Sequence, residues 1–228
     1  MDPFIKLGFV GSYKVDMIHY LSRILKALNK EVILIDASEE QLLKTTLPTL
    51  ADSDLFTYFG VDCISYSEEK VELSKAVNMK GYDIALVDHG LHVSERIDME
   101  YSIVFIVTDY ERHNILSLKK SLNNFLNNNM NVVKVYRDVI DTKINKNYIN
   151  HILNIDVRTK VLAEYEFERT QEDYKCKLLC QYDEVFSFKK LSRKYKEMFA
   201  DIIEELYGIE FGKVMKVIKA VEGAKACK

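Results

Sequence analysis

Gly8-Phe9-Val10-Gly11-Ser12-Tyr13-Lys14-Val15-Asp16 is the stretch on which the fold turns. It continues Phe4-Ile5-Lys6-Leu7, so residues 4–10 make an apolar run of strand length that Gly11 and Ser12 end. Beyond it Met17, Ile18, Leu21, Ile24, Leu25 and Leu28 recur at steps of three and four, the stripe of an amphipathic helix. The alternation then repeats. Residues 31–36 and 83–88 are apolar, largely β-branched runs that each end in an acid, Asp36 and Asp88. Residues 102–107 lead into a helix carrying Ile115, Leu118, Leu122 and Phe125, and 132–136 reads as a further strand. Strands apolar on both faces need helices on both sides. The expected fold class is therefore α/β, a doubly wound, mostly parallel sheet flanked by helices, with 4–10, 32–36, 83–88 and 102–107 as neighbouring central strands.

Composition narrows the function classes. With 32 basic and 35 acidic residues the net charge is −3, and no helix-turn-helix or clustered arginine surface is recognisable, so DNA is not an expected partner. No stretch approaches the roughly 20 apolar residues that span a bilayer. The start, Met-Asp-Pro-Phe-Ile-Lys, puts Lys6 inside its apolar run and offers no small-residue cleavage site, so a cytoplasmic protein with reduced thiols is expected. Cys63, Cys176, Cys180 and Cys227 are scattered, and His19, His89, His92, His113 and His151 do not cluster. Cys176 and Cys180 read as two small apolar residues on one helix face rather than as metal ligands. No Pro-, Gly- or Ser-rich linker interrupts the chain, which suggests a single domain over 1–228 whose part from about 160 to 228 is helical.

In doubly wound sheets ligands sit at the carboxyl ends of the strands. A phosphate loop there needs small residues that turn backbone N–H groups to the ligand, a lysine for the β/γ oxygens and a hydroxyl for Mg²⁺. Gly8, Gly11 and Lys14 have that spacing. Tyr13 stands where the last glycine belongs, and Val15 where the hydroxyl belongs. Asp36 and Asp88, the latter in Asp88-His89-Gly90, end strands where a carboxylate could hold the metal. The plainer readings are a solvated lysine at a helix start and acids that cap turns or helices.

The order of glycine/lysine loop, helix, strand-Asp and apolar strand-Asp-x-Gly resembles the ParA/MinD (SIMIBI) branch of P-loop proteins over about residues 1–140. In that family the loop reads Lys-Gly-Gly-x-Gly-Lys-Thr-Thr. Lys14 matches its phosphate-binding lysine, Gly8 and Gly11 two of its glycines, Asp36 the first acid of its A′ motif with Ser38 beyond it, and Asp88 its Walker B acid. Thr108-Asp109 matches a turn after the next strand. The resemblance implies a P-loop NTPase-like fold and a nucleotide set of Gly8, Gly11, Ser12, Lys14, Asp36, Asp88 and Gly90, with Asp36 and Asp88 toward Mg²⁺. Phe9 replaces the signature lysine, and Val15 and Asp16 replace the paired threonines. The Walker A loop is thus degenerate, as in the TadZ/CpaE type associated with pilus assembly and secretion.

That resemblance implies a non-hydrolysing or weakly nucleotide-binding assembly or localisation factor, with ATP/Mg as cofactor, or no cofactor if the loop is vestigial and Tyr13 fills the phosphate position. The alternative is an active switch ATPase that positions cargo or plasmid DNA. Partners are expected to be a second copy of the chain and protein components of a membrane-associated machine. The dimer face is expected at Phe9, Tyr13 and the loop after Asp36, independent of ATP. The branch often ends in a membrane-lying amphipathic helix, so residues 208–228 are read two ways, as a peripheral contact at the inner membrane face or as a final helix packed on the body with its lysines in water.

Overall fold

The computed structural model describes residues 4–47, 55–65, 81–92, 100–127, 130–182 and 187–223. Along the chain they form β1 (Ile5–Gly11), α1 (Val15–Ala27), β2 (Val32–Asp36), α2 (Leu42–Thr45), β3 (Leu55–Tyr58), β4 (Val61–Ser65) and β5 (Ile84–Asp88). There follow β6 (Ile103–Thr108), α3 (Arg112–Phe125), β7 (Asn131–Val139), α4 (Lys146–Leu153), β8 (Lys160–Glu168), α5 (Gln171–Tyr182), α6 (Arg193–Tyr207) and α7 (Phe211–Val221). The strands make one sheet in the order β3-β4-β2-β5-β1-β6-β7-β8. Every pairing is parallel except the β3–β4 hairpin. The four strands expected to be central are consecutive in that order.

Their burial explains the composition. β2, β5 and β6 are buried at every position, so neither face can carry a polar side chain without a partner. Leu7, Phe9, Leu34, Leu86 and Phe105 point to one face, where α1, α6 and α7 cover them; Val10, Val104 and Ile106 point to the other, under α3 and α4.

Two regions depart from the sequence reading, and a third, the tail, takes one of the two forms it allowed. The part from about 160 opens with a nine-residue strand, β8, and becomes helical only at Gln171. β8 lies at the sheet edge, where Ala163, Tyr165 and Phe167 alternate with Glu164, Glu166 and Glu168, and Phe167 stacks on Tyr195 of α6 with ring centroids 3.7 Å apart. β7 runs three residues beyond Tyr136, which carries Arg137 inside the protein. Finally, α7 turns Val214 and Ile218 fully inward against α6 and α1 and leaves Lys213, Lys216 and Lys219 exposed. Of the two readings of the tail, the packed helix is the one realised over Phe211–Val221; residues 224–228, including Cys227, lie outside the described residues. Among the described residues no helix is long and apolar enough to cross a membrane, and no group of His, Cys, Asp and Glu could hold a metal ion.

Candidate functional site

Little of the loop expected at residues 8–16 is loop, since 8–11 belong to β1 and 15–16 to α1. β1 stays paired with β6 through Gly11, opposite Val107, so the connection to α1 is only Ser12, Tyr13 and Lys14. Gly8 faces the ring of Tyr101, which a Cβ would approach to 3.2 Å. Gly11 has φ +118°, and a Cβ there would lie 1.9 Å from the carbonyl oxygen of Val107. Both glycines therefore serve close packing within the protein. The N–H groups at the end of β1 are used in the same way: Gly11 N–H donates to Gly90 O at 2.8 Å, and Ser12 N–H donates to Val107 O at 2.8 Å. The Ser12 hydroxyl accepts from Asp109 N–H at 3.4 Å, tying the end of β1 to the turn after β6.

Lys14, Asp36 and Asp88 meet at the carboxyl edge, as their places after successive strands imply. Asp36 and Asp88 are register partners across β2 and β5. The Lys14 ammonium lies 2.7 Å from Asp88 Oδ1, and the two side chains are 2% and 0% exposed. Lys14 Nζ also donates to Gly11 O at 3.2 Å and Gly90 O at 3.3 Å, so all three of its protons have acceptors. Asp88 Oδ1 also accepts from Gly90 N–H, while Oδ2 has no partner among the described residues. Gly90, at φ +66°, is close against Ser38 and Glu40, where a side chain would clash.

Asp36 is engaged elsewhere. Its Oδ1 accepts from the Ser38 hydroxyl (2.6 Å) and N–H (3.2 Å), and its Oδ2 from the N–H groups of Leu43 (2.7 Å) and Lys44 (3.4 Å) in α2. This is a carboxylate capping a short helix. Burial raises its pKa, which the Ser38 hydrogen bond opposes.

Phe9 and Tyr13 do not form the exposed aromatic patch expected of them. Phe9 is inside β1, 1% exposed, with its ring stacked on Phe105 at 4.6 Å; the strand's extension to Gly11 buries it. Tyr13 is half-buried against the C-terminal part of the chain. Its ring lies under α5, with the Lys177 ammonium 4.4 Å from the ring centroid and Gln181 Nε2 donating to its hydroxyl at 2.9 Å.

Sequence reasoning missed the groups that hold the loop from below. Arg137 of β7 makes a two-pronged pair with Asp16 in the first turn of α1, both contacts 2.7 Å, and donates to Tyr13 O at 2.9 Å. Burial works against the Arg137 charge, but the Asp16 carboxylate overrides it and the pKa is raised. The available signal was an arginine continuing the apolar run of β7 together with an acid where the family has threonine; a buried guanidinium demands such a partner.

Most of the groups that the resemblance assigns to a nucleotide bond within the protein in this conformation. Lys14 is paired with Asp88, Asp36 has both oxygens in use, Val15 offers no side-chain hydroxyl, and the Gly11 and Ser12 N–H groups bond to the protein itself. Among these groups Asp88 Oδ2 alone is left without a partner among the described residues.

The same burial gives the edge a pH dependence. Burial, and then the Lys14 ammonium, hold the His89 imidazole down to about 3, and burial holds His19 down to about 4. Both rings are neutral when folded, whereas the unfolded chain takes up protons near 6.5. Their contribution is thus complete above pH 6.5 and is lost as pH falls toward the folded values; at about 1.4 kcal/mol per pH unit each, the pair removes roughly 3 kcal/mol per unit below pH 6. Asp36, with its raised pKa, acts in the opposite sense only nearer the carboxylate range. Urea midpoints at pH 7, 6 and 5 should fall steeply, and less so in His89→Gln; a midpoint unchanged from pH 7 to 5 would contradict this account.

No protein-family model and no curated protein matches the chain. Among solved structures it is similar to a ParA family ATPase from Chlorobium tepidum, with TM-score 0.55 at 13% identity over 96% of this chain and 98% of the other. It is also similar to the MinC:MinD cell division protein complex from Aquifex aeolicus, with TM-score 0.50 at 11% identity and 98% coverage of both chains. At such identities the likeness is one of fold. The chain has the ParA/MinD-like, P-loop NTPase-like architecture.

Proposed function

We propose that this chain is a non-hydrolysing assembly or localisation factor of ParA/MinD shape, acting by protein contacts in the manner the pilus-assembly and secretion resemblance implies. The observation that carries the reading is the buried Lys14–Asp88 pair: the lysine that would meet phosphate is held at 2.7 Å by the acid that would serve the metal. Separating them inside the protein would leave a buried charge unpaired, which disfavours nucleotide entry by several kcal/mol. One of the structural relatives is a complex with a protein partner, MinC, which supports a role exercised through partners. Association with a second copy or with a membrane-associated machine belongs to the same proposal, on a surface other than Phe9. The inward apolar face of α7 favours protein contacts over lipid ones, and the net charge of −3 disfavours DNA.

Calorimetric titration with ATP and ADP, with and without Mg²⁺, is the test. Binding weaker than about 1 mM is expected, with no hydrolysis rescued by excess Mg²⁺. Micromolar affinity, or turnover on the order of one per second, would reinstate the switch ATPase.

A further inference from the structure

A cavity of about 210 Å³ opens on the opposite face of the sheet from α1, between α3 and α4. It lies beyond the carboxyl ends of β6 and β7, where doubly wound sheets place ligands, yet none of the nucleotide-site residues lines it. Its walls are apolar: Ile115 and Leu116 from α3, and Ile144, Tyr148, Ile149 and Ile152 from α4 and the turn before it. Three of these stay exposed, Leu116 at 40%, Ile144 at 44% and Tyr148 at 48%, so the wall is open to a ligand rather than closed on itself.

The two charged side chains that line this cavity are both basic, and the nearest acid acting on it is Glu166 of β8, which faces Tyr110. Arg112 and Lys143 line it, and among the described residues neither makes an ion pair. Among the described residues no carboxylate lines it. Asp109, close by in the chain, has both oxygens taken, by Glu111 N–H and by the Asn114 amide. Arg112 is the first residue of α3, and the Asp109 carboxylate already occupies that helix start, so the anion-binding charge rests on the two side chains.

We propose that this cleft binds a small amphipathic anion, a medium-chain or aryl-substituted carboxylate, with its apolar body against the isoleucines and its carboxylate at Arg112 and Lys143. The cavity is below the roughly 300–1,000 Å³ of drug-sized sites, which limits the ligand to a short body. The site is separate from the Lys14–Asp88 edge and stands whether or not nucleotide binds there.

Titration of the full chain with octanoate, octylammonium and the shorter hexanoate tests it. Octanoate should bind one to one, at least tenfold tighter than octylammonium, and lengthening from six to eight carbons should tighten binding by roughly fourfold per methylene. Arg112→Gln with Lys143→Gln should weaken octanoate about tenfold, and Ile144→Asp should abolish binding. All three positions are exposed, so these variants are expected to fold, and circular dichroism checks that they do. Phosphatidylglycerol vesicles, which present anions and acyl chains as a bilayer, should not displace octanoate. Equal binding of octanoate and octylammonium, binding unchanged in the variants, displacement by vesicles, or no binding at about 10 mM would each overturn the proposal.

Discussion

Gly11→Ala should yield no stably folded protein, the largest effect of any single methyl group in this chain. A Cβ at Gly11 would sit 1.9 Å from the Val107 carbonyl oxygen, where the obstacle is backbone in a central strand and cannot swing aside. Relief requires parting β1 from β6, the pairing between residues that are almost all fully buried. The φ of +118° adds strain of about 1–3 kcal/mol for any L residue. Together these exceed the 4–5 kcal/mol that marks exceptional substitutions, against a total stability of about 5–15 kcal/mol. Gly60→Ala and Gly208→Ala are the controls. They share positive φ, +73° and +63°, but a Cβ would meet nothing within 4 Å, so a loss of only about 1 kcal/mol is expected. Circular dichroism and urea unfolding of the three variants read this directly. Had Gly11 been kept for phosphate, Gly11→Ala would fold with a near-normal midpoint and lose only a ligand.

That contrast shows where the sequence is readable. β1, β2, β5 and β6 are legible because burial on both faces leaves an unbroken apolar run, and a run between turn residues admits few other structures. β8 was hidden by its edge position: one face is wet, glutamates alternate with the packed residues, and a charged, aromatic segment reads as irregular. The site divides in the same way. That Lys14, Asp36 and Asp88 would converge follows from each standing at the end of a strand. What they do there does not, because it depends on three dimensions of detail. Whether Lys14 points outward or lies on Asp88 turns on the path of three residues, Ser12 to Lys14. The reading of Phe9 failed over the same three-residue question, since a strand ending at Val10 next to a glycine loop exposes it and a strand paired through Gly11 buries it. Arg137 was missed because the apolar run stops at Tyr136, three residues before β7 does.

The role of Lys14 can be separated from that of a nucleotide lysine by stability alone. Lys14→Met removes the only cation paired with Asp88 among the described residues and leaves a carboxylate that is 0% exposed. Breaking a buried pair on one side in this way typically costs about 3–5 kcal/mol. Gly11 O and Gly90 O lose a donor at the same time. The double variant Lys14→Met with Asp88→Asn should recover most of that loss. Asn at 88 carries no charge, its carbonyl oxygen can still accept from Gly90 N–H, and its amide can donate toward the two released carbonyls. A deficit of about 1–2 kcal/mol relative to the native chain is expected to remain, the ordinary consequence of imperfectly matched buried polar groups. Chemical denaturation of the native chain, both single variants and the double variant closes this cycle, and the expected coupling between positions 14 and 88 is at least about 2 kcal/mol. A lysine held only for phosphate behaves in the opposite way. Lys14→Met would then fold as well as the native chain, the two substitutions would add without coupling, and the loss would fall wholly on ATP affinity.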